Sequence, residues 1–525
     1  MKESDQYQFI SFIMWRSVPY IFLALSVSLI SIESAKILGV IPSPSISHQV
    51  VFRPLFEELA RRGHEVTVIT TDPAFPKGRT PENLMEIDVH DISYNLISAP
   101  LRKITTGNQV DAATQSYAIG KFYNKLIDIQ ISDSEVQKIL KYDSKYFDLL
   151  IIESCARPAL VFSHVFKAPV IQVSSFGAYL GVHEAIGLPM HPFLYPSMVR
   201  QNIYNLTLWS KLTELYTYAI FLNVYNKYEE EDNAMLRRHF GKDVSTLNEL
   251  RNNIDMSFFN IHPIFEGNYP VPPNVIHMWG IYKKPENQLP TELKYYLDSS
   301  KSGVIYMSFG TNIDPSTLSP EIIQMFIRVF SQLPYDILWK WNEDTLPGQT
   351  KNIRIGKWFP QSDLLKHPNV KLFITQGGLQ STDEAINAAV PLIGIPMSGD
   401  QWFNVEKYVH LKIGLRLNLD STDDTTFKEA INTAAVTAFH QVARLPPMAP
   451  LDRAVWWVEY TLRHGGARHL RSPAANISWA DYLELELVSI LLLGFVIILS
   501  ALMYILYIII RLSREYFVSR KIKKN

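Results

Sequence analysis

The sequence has one cysteine, Cys155, in 525 residues, so no disulfide forms within the chain and stability must come from packed apolar cores. Net charge is almost absent. Fifty Lys and Arg stand against 51 Asp and Glu, which offers nothing to a polyanion and argues against nucleic acid as a partner. No Asp-x-Asp follows a strand pattern, and no His or Cys cluster has metal-ligand spacing, so metal-free chemistry is expected and no residue is assigned to a metal. Charge is also missing from Leu487 to Ile510, 24 residues that at about 1.5 Å each reach about 36 Å, enough to cross a bilayer core of about 30 Å.

The termini extend that reading. After the apolar run comes RLSREYFVSRKIKKN, whose Arg511, Arg514, Arg520, Lys521, Lys523 and Lys524 outweigh Glu515, so residues 511–525 are expected in the cytosol. At the other end an apolar run from Val18 to Ile30 follows Arg16 and closes on Ser34 and Ala35, the pattern of a signal peptide over residues 1–35; an uncleaved anchor is the alternative. Residues 36–486 would then be lumenal, with Asn205 and Asn476 heading sequons open to glycosylation. Lys521-Ile-Lys523-Lys524-Asn525 resembles the dilysine signals that return membrane proteins to the endoplasmic reticulum.

A chain of this length needs more than one core. Lys36–Ile41 reads as a buried strand, Gln49–Arg62 as an amphipathic helix stopped by Gly63, and Glu65–Thr70 as a second strand, the opening of a doubly wound sheet. Phe147–Ile152 and Pro169–Val173 continue it. Gly177–Asn253 has helical periodicity only in places; its aromatic residues suit either a lining for apolar acceptors or plain helix packing. After the proline-rich and polar text around Tyr269–Pro290 the alternation restarts with Gly303–Ser308, a helix over Ser319–Gln332 and Ile337–Lys340. The expected layout is a first domain over 36–285, a second over 286–450, and a returning helix and juxtamembrane segment over 451–486.

The richest stretch runs from Trp358 to Gln401. A strand (Lys371–Thr375), a turn at Gly377 and Gly378, a helix opening near Ser381 and a strand (Leu392–Ile395) make one βαβ unit, whose glycines and helix start suit a phosphate. Further residues fit a nucleoside diphosphate. Trp358 offers a plane for a base, Gln361 a donor and an acceptor for a uracil edge or a ribose, and Glu384 a carboxylate for both ribose hydroxyls. Asp400 and Gln401, after a strand end, are placed to grip sugar hydroxyls. Ser308, Gly310 and Thr311 end another strand, where hydroxyls and backbone N–H groups face ligands in open α/β sheets.

Trp-x-Pro-Gln at 358–361, Gly-Gly-x-x-Ser-x-x-Glu at 377–384 and Asp-Gln at 400–401 together resemble the signature of the UDP-glycosyltransferases (UDP-glucuronosyl and UDP-glucosyl transferases). The chain is most similar to the membrane-bound animal enzymes, and its TQGGLQS wording to the arthropod branch. The resemblance implies two Rossmann-like domains facing a cleft (the GT-B plan), with a C-terminal transmembrane helix and Pro450–Arg463 packed back across the first domain. It also implies phosphate binding by Ser308–Thr311. Where many relatives carry His, this chain has Gln376, so a neutral amide meets the diphosphate.

Transfer of a sugar needs a base. His48 follows the first strand at the start of a helix, where the dipole favours the neutral ring, and its Ser-x-Ser-His setting resembles that of the family's catalytic histidine. Glu153, ending the strand FDLLIIE, is expected at the same sheet edge to orient His48; relatives often carry Asp there. The function read from these residues is transfer of a hexose from a UDP-sugar, UDP-glucose favoured and UDP-glucuronate open, to a hydroxyl of a small lipophilic acceptor. It is expected to invert the anomeric carbon and to need no cofactor beyond the UDP-sugar co-substrate. A non-catalytic UDP-sugar-binding membrane protein and a sugar-nucleotide epimerase are the competing readings, and homo- or hetero-oligomers stay open.

Overall fold

The computed structural model describes residues 34–97, 112–178, 181–188, 191–198, 200–283, 286–435 and 448–522. The expected signal peptide therefore lies outside the described residues, as do the last three residues of the tail. Among the described residues, thirteen strands form two all-parallel sheets. The first contains β1 (Lys36–Ile41), β2 (Glu65–Thr70), β3 (Leu84–Asp88), β4 (Leu149–Glu153), β5 (Val170–Ser174), β6 (Ile254–Phe259) and β7 (Val275–His277), in the order β3-β2-β1-β4-β5-β6-β7. The second contains β8 (Val304–Ser308), β9 (Asp336–Lys340), β10 (Ile353–Gly356), β11 (Val370–Thr375), β12 (Leu392–Gly394) and β13 (Gly414–Arg416), in the order β10-β9-β8-β11-β12-β13.

Each order reverses once, between β1 and β4 and between β8 and β11. At such a reversal the connections leave in opposite directions and open a crevice beyond the carboxyl ends of the two central strands. Val40 pairs with Ile152 at one reversal and Ser308 with Thr375 at the other. The loops that follow these residues are thus the ones the topology opens to ligands.

The helices that matter for the site are α1 (Ile46–Arg61), α2 (Ala112–Ile131), α3 (Val182–Ile186), α4 (Leu208–Phe240), α5 (Pro320–Ser331), α6 (Gln361–Leu365), α7 (Leu379–Ala388), α8 (Gln401–His410), α9 (Pro450–Arg463), α10 (Trp479–Tyr482) and α11 (Leu485–Ile522). Phe52, Leu55, Phe56 and Leu59 of α1 share a core with Ile37 and Ile41 of β1 and with Ala454, Val455 and Val458 of α9. Arg62 reaches Glu459 at 3.1 Å across the same seam. The C-terminal helix α9 therefore belongs physically to the first sheet.

β1, β2 and α9 fall where the sequence pattern put them, and α5 starts one residue inside, with Ser319 as its N-cap. β4 begins later than expected, because Asp148 ties the strand starts together by accepting from the Lys36 N–H at 2.8 Å. The largest difference is α4, a single helix of 33 residues where the pattern showed only pieces. Its second half buries Tyr228, Met235 and Leu236, whereas its first half leaves Leu208, Trp209 and Leu212 exposed, so the apolar stripe changes face along the helix. Within α11 the stretch Leu485–Tyr516 is exposed and apolar, long enough to cross a bilayer.

Candidate active site

At the first reversal the chain leaves β1, turns through Pro42–Ser45 and enters α1 with Ser45 as N-cap. Buried Gln49 holds that turn by donating to the carbonyls of Ile41 at 3.0 Å and Ser43 at 2.7 Å. His48 thus sits inside the first turn of α1 rather than ahead of it. Glu153 is the last residue of β4, and His48 Nδ1 lies 2.5 Å from its Oε1. The other carboxylate oxygen accepts from the Ser43 N–H at 3.2 Å and hydroxyl at 2.6 Å. A carboxylate partner makes Nδ1 the protonated nitrogen, which turns the Nε2 lone pair toward the cleft that His48 lines. Phe176 packs edge-on to the ring at 5.7 Å.

The cleft between the two sheets measures about 1710 Å³ and is open to solvent. His48 lines it from one side. From the other come Ser308, Gly310, Thr311, Trp358, Gln361, Gln376, Gly378, Ser381, Glu384, Asp400 and Gln401. Gly377 and Glu153 lie just outside it. Gly377, at φ +91°, makes the turn after β11, and a Cβ there would meet Val405 at 2.5 Å.

The side chains are more entangled than the motif suggests. Trp358 stands 68% exposed at the cleft edge, with the Lys340 ammonium 5.8 Å from its ring, so it is no core tryptophan. The Gln361 amide, expected to read a base or ribose, is already engaged: its oxygen accepts from Tyr306 at 3.1 Å, and its nitrogen donates to Ser381 at 3.0 Å and Glu384 at 2.7 Å. Burial raises the Glu384 carboxyl above its ordinary range, opposed by that bond from Gln361. Ser308 is buried, and its hydroxyl accepts from the Gly310 N–H at 3.3 Å, holding the turn. Ser381 lies within α7, whose N-cap is Gly378. The Gln376 amide nitrogen fills the space a Cβ on Gly310 would need, at 2.4 Å, and Gly310 at φ +72° is strained for any other residue.

Beside them, Asp400 is the N-cap of α8 and accepts from Asn404 at 2.7 Å; burial raises its carboxyl. The Gln401 side-chain amide oxygen accepts from the N–H groups of Met397 at 2.9 Å and Ser398 at 3.0 Å, so it shapes the loop that carries Asp400.

Ser43, Asn312 and Lys340 carried no motif; only their places at or after strand ends hinted at them. Ser45, Ser47 and Gln380 lie inside the Ser-x-Ser-His and TQGGLQS wording but were given no role of their own. Ser45 and Asn312 exchange hydrogen bonds across the cleft at 3.1–3.2 Å, and Gln380 donates to the Ser47 carbonyl. Lys340 donates to the Gly310 carbonyl at 2.6 Å. A second, much smaller cavity lies between α2, α4 and the loop after β4, lined by Tyr123, Cys155, Phe221, Tyr225 and Tyr228 together with the Arg157–Asp232 ion pair. The Tyr123 hydroxyl is 3.0 Å from that of Ser43, so this cavity lies behind the His48–Glu153 pair.

Folding brings together one ligand-type cluster that sequence spacing did not show: single donor atoms of His48, Glu153 and Cys155 lie within 4.8 Å of one another. These donors suit a cation poorly. Both Glu153 oxygens are occupied by His48 and Ser43, and burial holds the Cys155 thiol far above its usual range, hence protonated.

The two sequons also differ. Asn205 is exposed, whereas the Asn476 amide donates to the Asn248 carbonyl at 2.9 Å and to Asn252 at 3.0 Å. Asn476 is half-buried and engaged by its neighbours.

Two parallel sheets meeting at a cleft, each with its reversal at the cleft floor, define the GT-B plan. Solved structures agree: the glycotransferase of kitacinnamycin and Arabidopsis thaliana UGT89C1 complexed with UDP-L-rhamnose each match at TM-score 0.50 and 17% identity, covering 83% of this chain and 97% of theirs. The family model for UDP-glucoronosyl and UDP-glucosyl transferase matches residues 35–524, and the chain belongs to that family. It is 35% identical over 480 residues to the ecdysteroid UDP-glucosyltransferase of Lymantria dispar multicapsid nuclear polyhedrosis virus, covering 88% of this chain and 94% of the relative. To UDP-glucosyltransferase 2 of Dactylopius coccus it is 31% identical over 523 residues, covering 96% and 99%. It is therefore an enzyme of UDP-sugar transfer, and the epimerase and non-catalytic readings fall away.

Proposed function

We propose that the chain transfers glucose from UDP-glucose, with UDP-glucuronate as the alternative donor, to a hydroxyl of a small lipophilic acceptor, with inversion and without a metal. The observation that carries this is the His48–Glu153 pair facing the same cleft as Trp358 and Glu384. His48 Nε2 takes the acceptor's proton while Nδ1–H holds to Glu153, which stabilises the imidazolium that forms. The acceptor oxygen bonds to the anomeric carbon from the face opposite the diphosphate. The bond to UDP breaks, and its electron pair leaves on the phosphate oxygen. Trp358 stacks the base and Glu384 takes the ribose hydroxyls, exchanging its bond from Gln361 for them. The N–H groups around Gly310 and at the start of α7, with Thr311 and Gln376, receive the diphosphate. Asp400 and Gln401 face the sugar.

Ile46, Val50 and Phe176, which line the cleft beside His48, support an apolar acceptor. Preference for UDP-glucose is supported by the relatives named UDP-glucosyltransferase. We assign residues 36–285 with 451–486 to the acceptor side, residues 286–450 to the donor side and α11 to a single-pass anchor with a cytosolic tail. Residence in the endoplasmic reticulum follows if the terminal lysines are an address, and changing Lys521 and Lys523 to Ser then releases the protein. The decisive experiment incubates membranes containing the protein with UDP-glucose or UDP-glucuronate and a simple phenol. A glucoside mass with β configuration is expected; a glucuronide mass or a retained configuration overturns the assignment.

A further inference from the structure

Glu153 holds His48 by Nδ1, so the aim of the ring depends on what holds Glu153. A glutamate has one more rotatable bond than an aspartate, and a carboxylate free to turn about it offers Nδ1 no fixed partner. Ser43 stops the turning. Oε1 faces His48 at 2.5 Å, while Oε2 accepts from both the N–H and the hydroxyl of Ser43, at 3.2 and 2.6 Å. Two donors from one residue fix the plane of the carboxylate.

Counting protons gives the direction of the next bond outward. Ser43 has a single hydroxyl proton, and the carboxylate, which has only lone pairs to offer, already takes it. The Tyr123 hydroxyl, 3.0 Å from Ser43 Oγ, is therefore the donor in that contact. Beside Tyr123 stands the Cys155 thiol, which burial pushes well above its usual range. A thiol that keeps its proton competes poorly for that of Tyr123, so the bonds run one way, from Tyr123 to Ser43 to Glu153. Ser43 and Glu153 are each 1% exposed, which shuts water out of the path.

The path is anchored from several sides. Gln49 and Thr71 donate to the Ser43 carbonyl at 2.7 and 2.8 Å, and Gln130 donates to the Pro42 carbonyl at 2.9 Å. Tyr123 and Gln130 both belong to α2 and stand about two turns apart, so one face of that helix grips the turn after β1 twice. Neither Ser43 nor Tyr123 lines the cleft. Any effect they have on turnover must pass through Glu153.

We propose that Ser43 and Tyr123 are positioning residues of the reaction, a buried one-way relay that locks Glu153 and, through it, aims His48 Nε2 at the acceptor. The proposal rests on the reading of His48 as the base. As the imidazolium forms, the aligned O–H dipoles hold the negative charge on Glu153, opposite the new positive charge, and keep the Nδ1 proton on the ring.

The test measures kcat, the KM for a simple phenol and UDP affinity by calorimetry, in the full-length protein purified in detergent. Ser43→Ala should lower kcat about tenfold, and Tyr123→Phe, which removes only a hydroxyl, about threefold, with phenol KM and UDP affinity unchanged in both. In a His48→Ala background nothing is left to aim, so neither change should lower the residual turnover further. Equal losses with and without His48 mean that the two residues act elsewhere, and overturn the proposal. Full kcat in Tyr123→Phe, or a loss matched by weaker UDP binding, overturns it too. If Ser43→Ala does not fold, Tyr123→Phe, which keeps the ring, decides alone. Near-normal turnover in His48→Ala removes the base reading itself.

Discussion

Gln380 of α7 donates across the cleft to the main-chain carbonyl of Ser47, the residue before His48. The start of α7, proposed above to receive the diphosphate, is thereby tied to the turn that carries His48. With Ser45 and Asn312 forming a second tie, the spacing between His48 and α7 is set by contacts between the two halves. Gln380→Ala is expected to lower kcat about tenfold, roughly 1.4 kcal/mol of positioning, while UDP affinity measured by calorimetry stays unchanged. A loss of UDP affinity equal to the loss of kcat would place Gln380 in the donor site instead.

His48→Ala should lower turnover by about 100- to 10,000-fold and leave UDP binding intact. Glu153→Gln should keep His48 in place yet still cost turnover, because a neutral amide does not balance an imidazolium. Near-normal kcat in His48→Ala puts the base elsewhere, and near-normal kcat in Glu153→Gln removes the supporting role from that carboxylate.

Trp358→Ala should weaken UDP by about 1 to 3 kcal/mol through lost stacking, with no change in Tm, since the ring is 68% exposed in the free protein. Glu384→Ala should weaken UDP by about 1.5 to 3 kcal/mol. Because burial raises the Glu384 carboxyl, UDP affinity should fall with pH while the solution is still above the usual carboxylate range, and Glu384→Gln should flatten that fall. Titrations of UDP at several pH values read both effects.

Asp383, buried beside Glu384, receives a bond from Tyr282 at 3.5 Å, and burial pushes its carboxyl up to about 8 from 3.8. Between those values the folded chain holds a proton that the unfolded chain releases, so this group's contribution to stability declines as pH rises through the window. Asp383→Asn should raise Tm by a few °C at pH near 8 and have little effect near pH 4. A Tm gain that is the same at both ends would mean the carboxyl is not protonated by the fold.

Of the two sequons, Asn205→Gln should remove a glycan and sharpen the band on a denaturing gel. Asn476→Gln should leave the glycan pattern unchanged but lower stability by about 1 to 2 kcal/mol, as the Asn248 and Asn252 contacts are lost.

The residues whose placement read clearly in the sequence were those fixed by a nearby element or motif: His48 after β1, Glu153 ending β4, Trp358 and Glu384 at motif spacing. What stayed hidden acts through space. Ser43 holds Glu153 from 110 positions away, and Gln380 meets Ser47 from 333 positions away, separations that no local pattern encodes. The engagement of Gln361 with Tyr306 is likewise a product of β8 lying beside β11. α4 was missed for another reason: its apolar residues change face halfway, so the helical period loses phase where inside and outside exchange roles.

The return of α9 onto α1 gives the enzyme an asymmetric anatomy. The first sheet and α9, which lie before and after the second sheet in the chain, share one core, so the second half begins and ends at the first. Any motion that opens the cleft leaves that α1–α9 seam packed, like a door whose two hinges sit on one post.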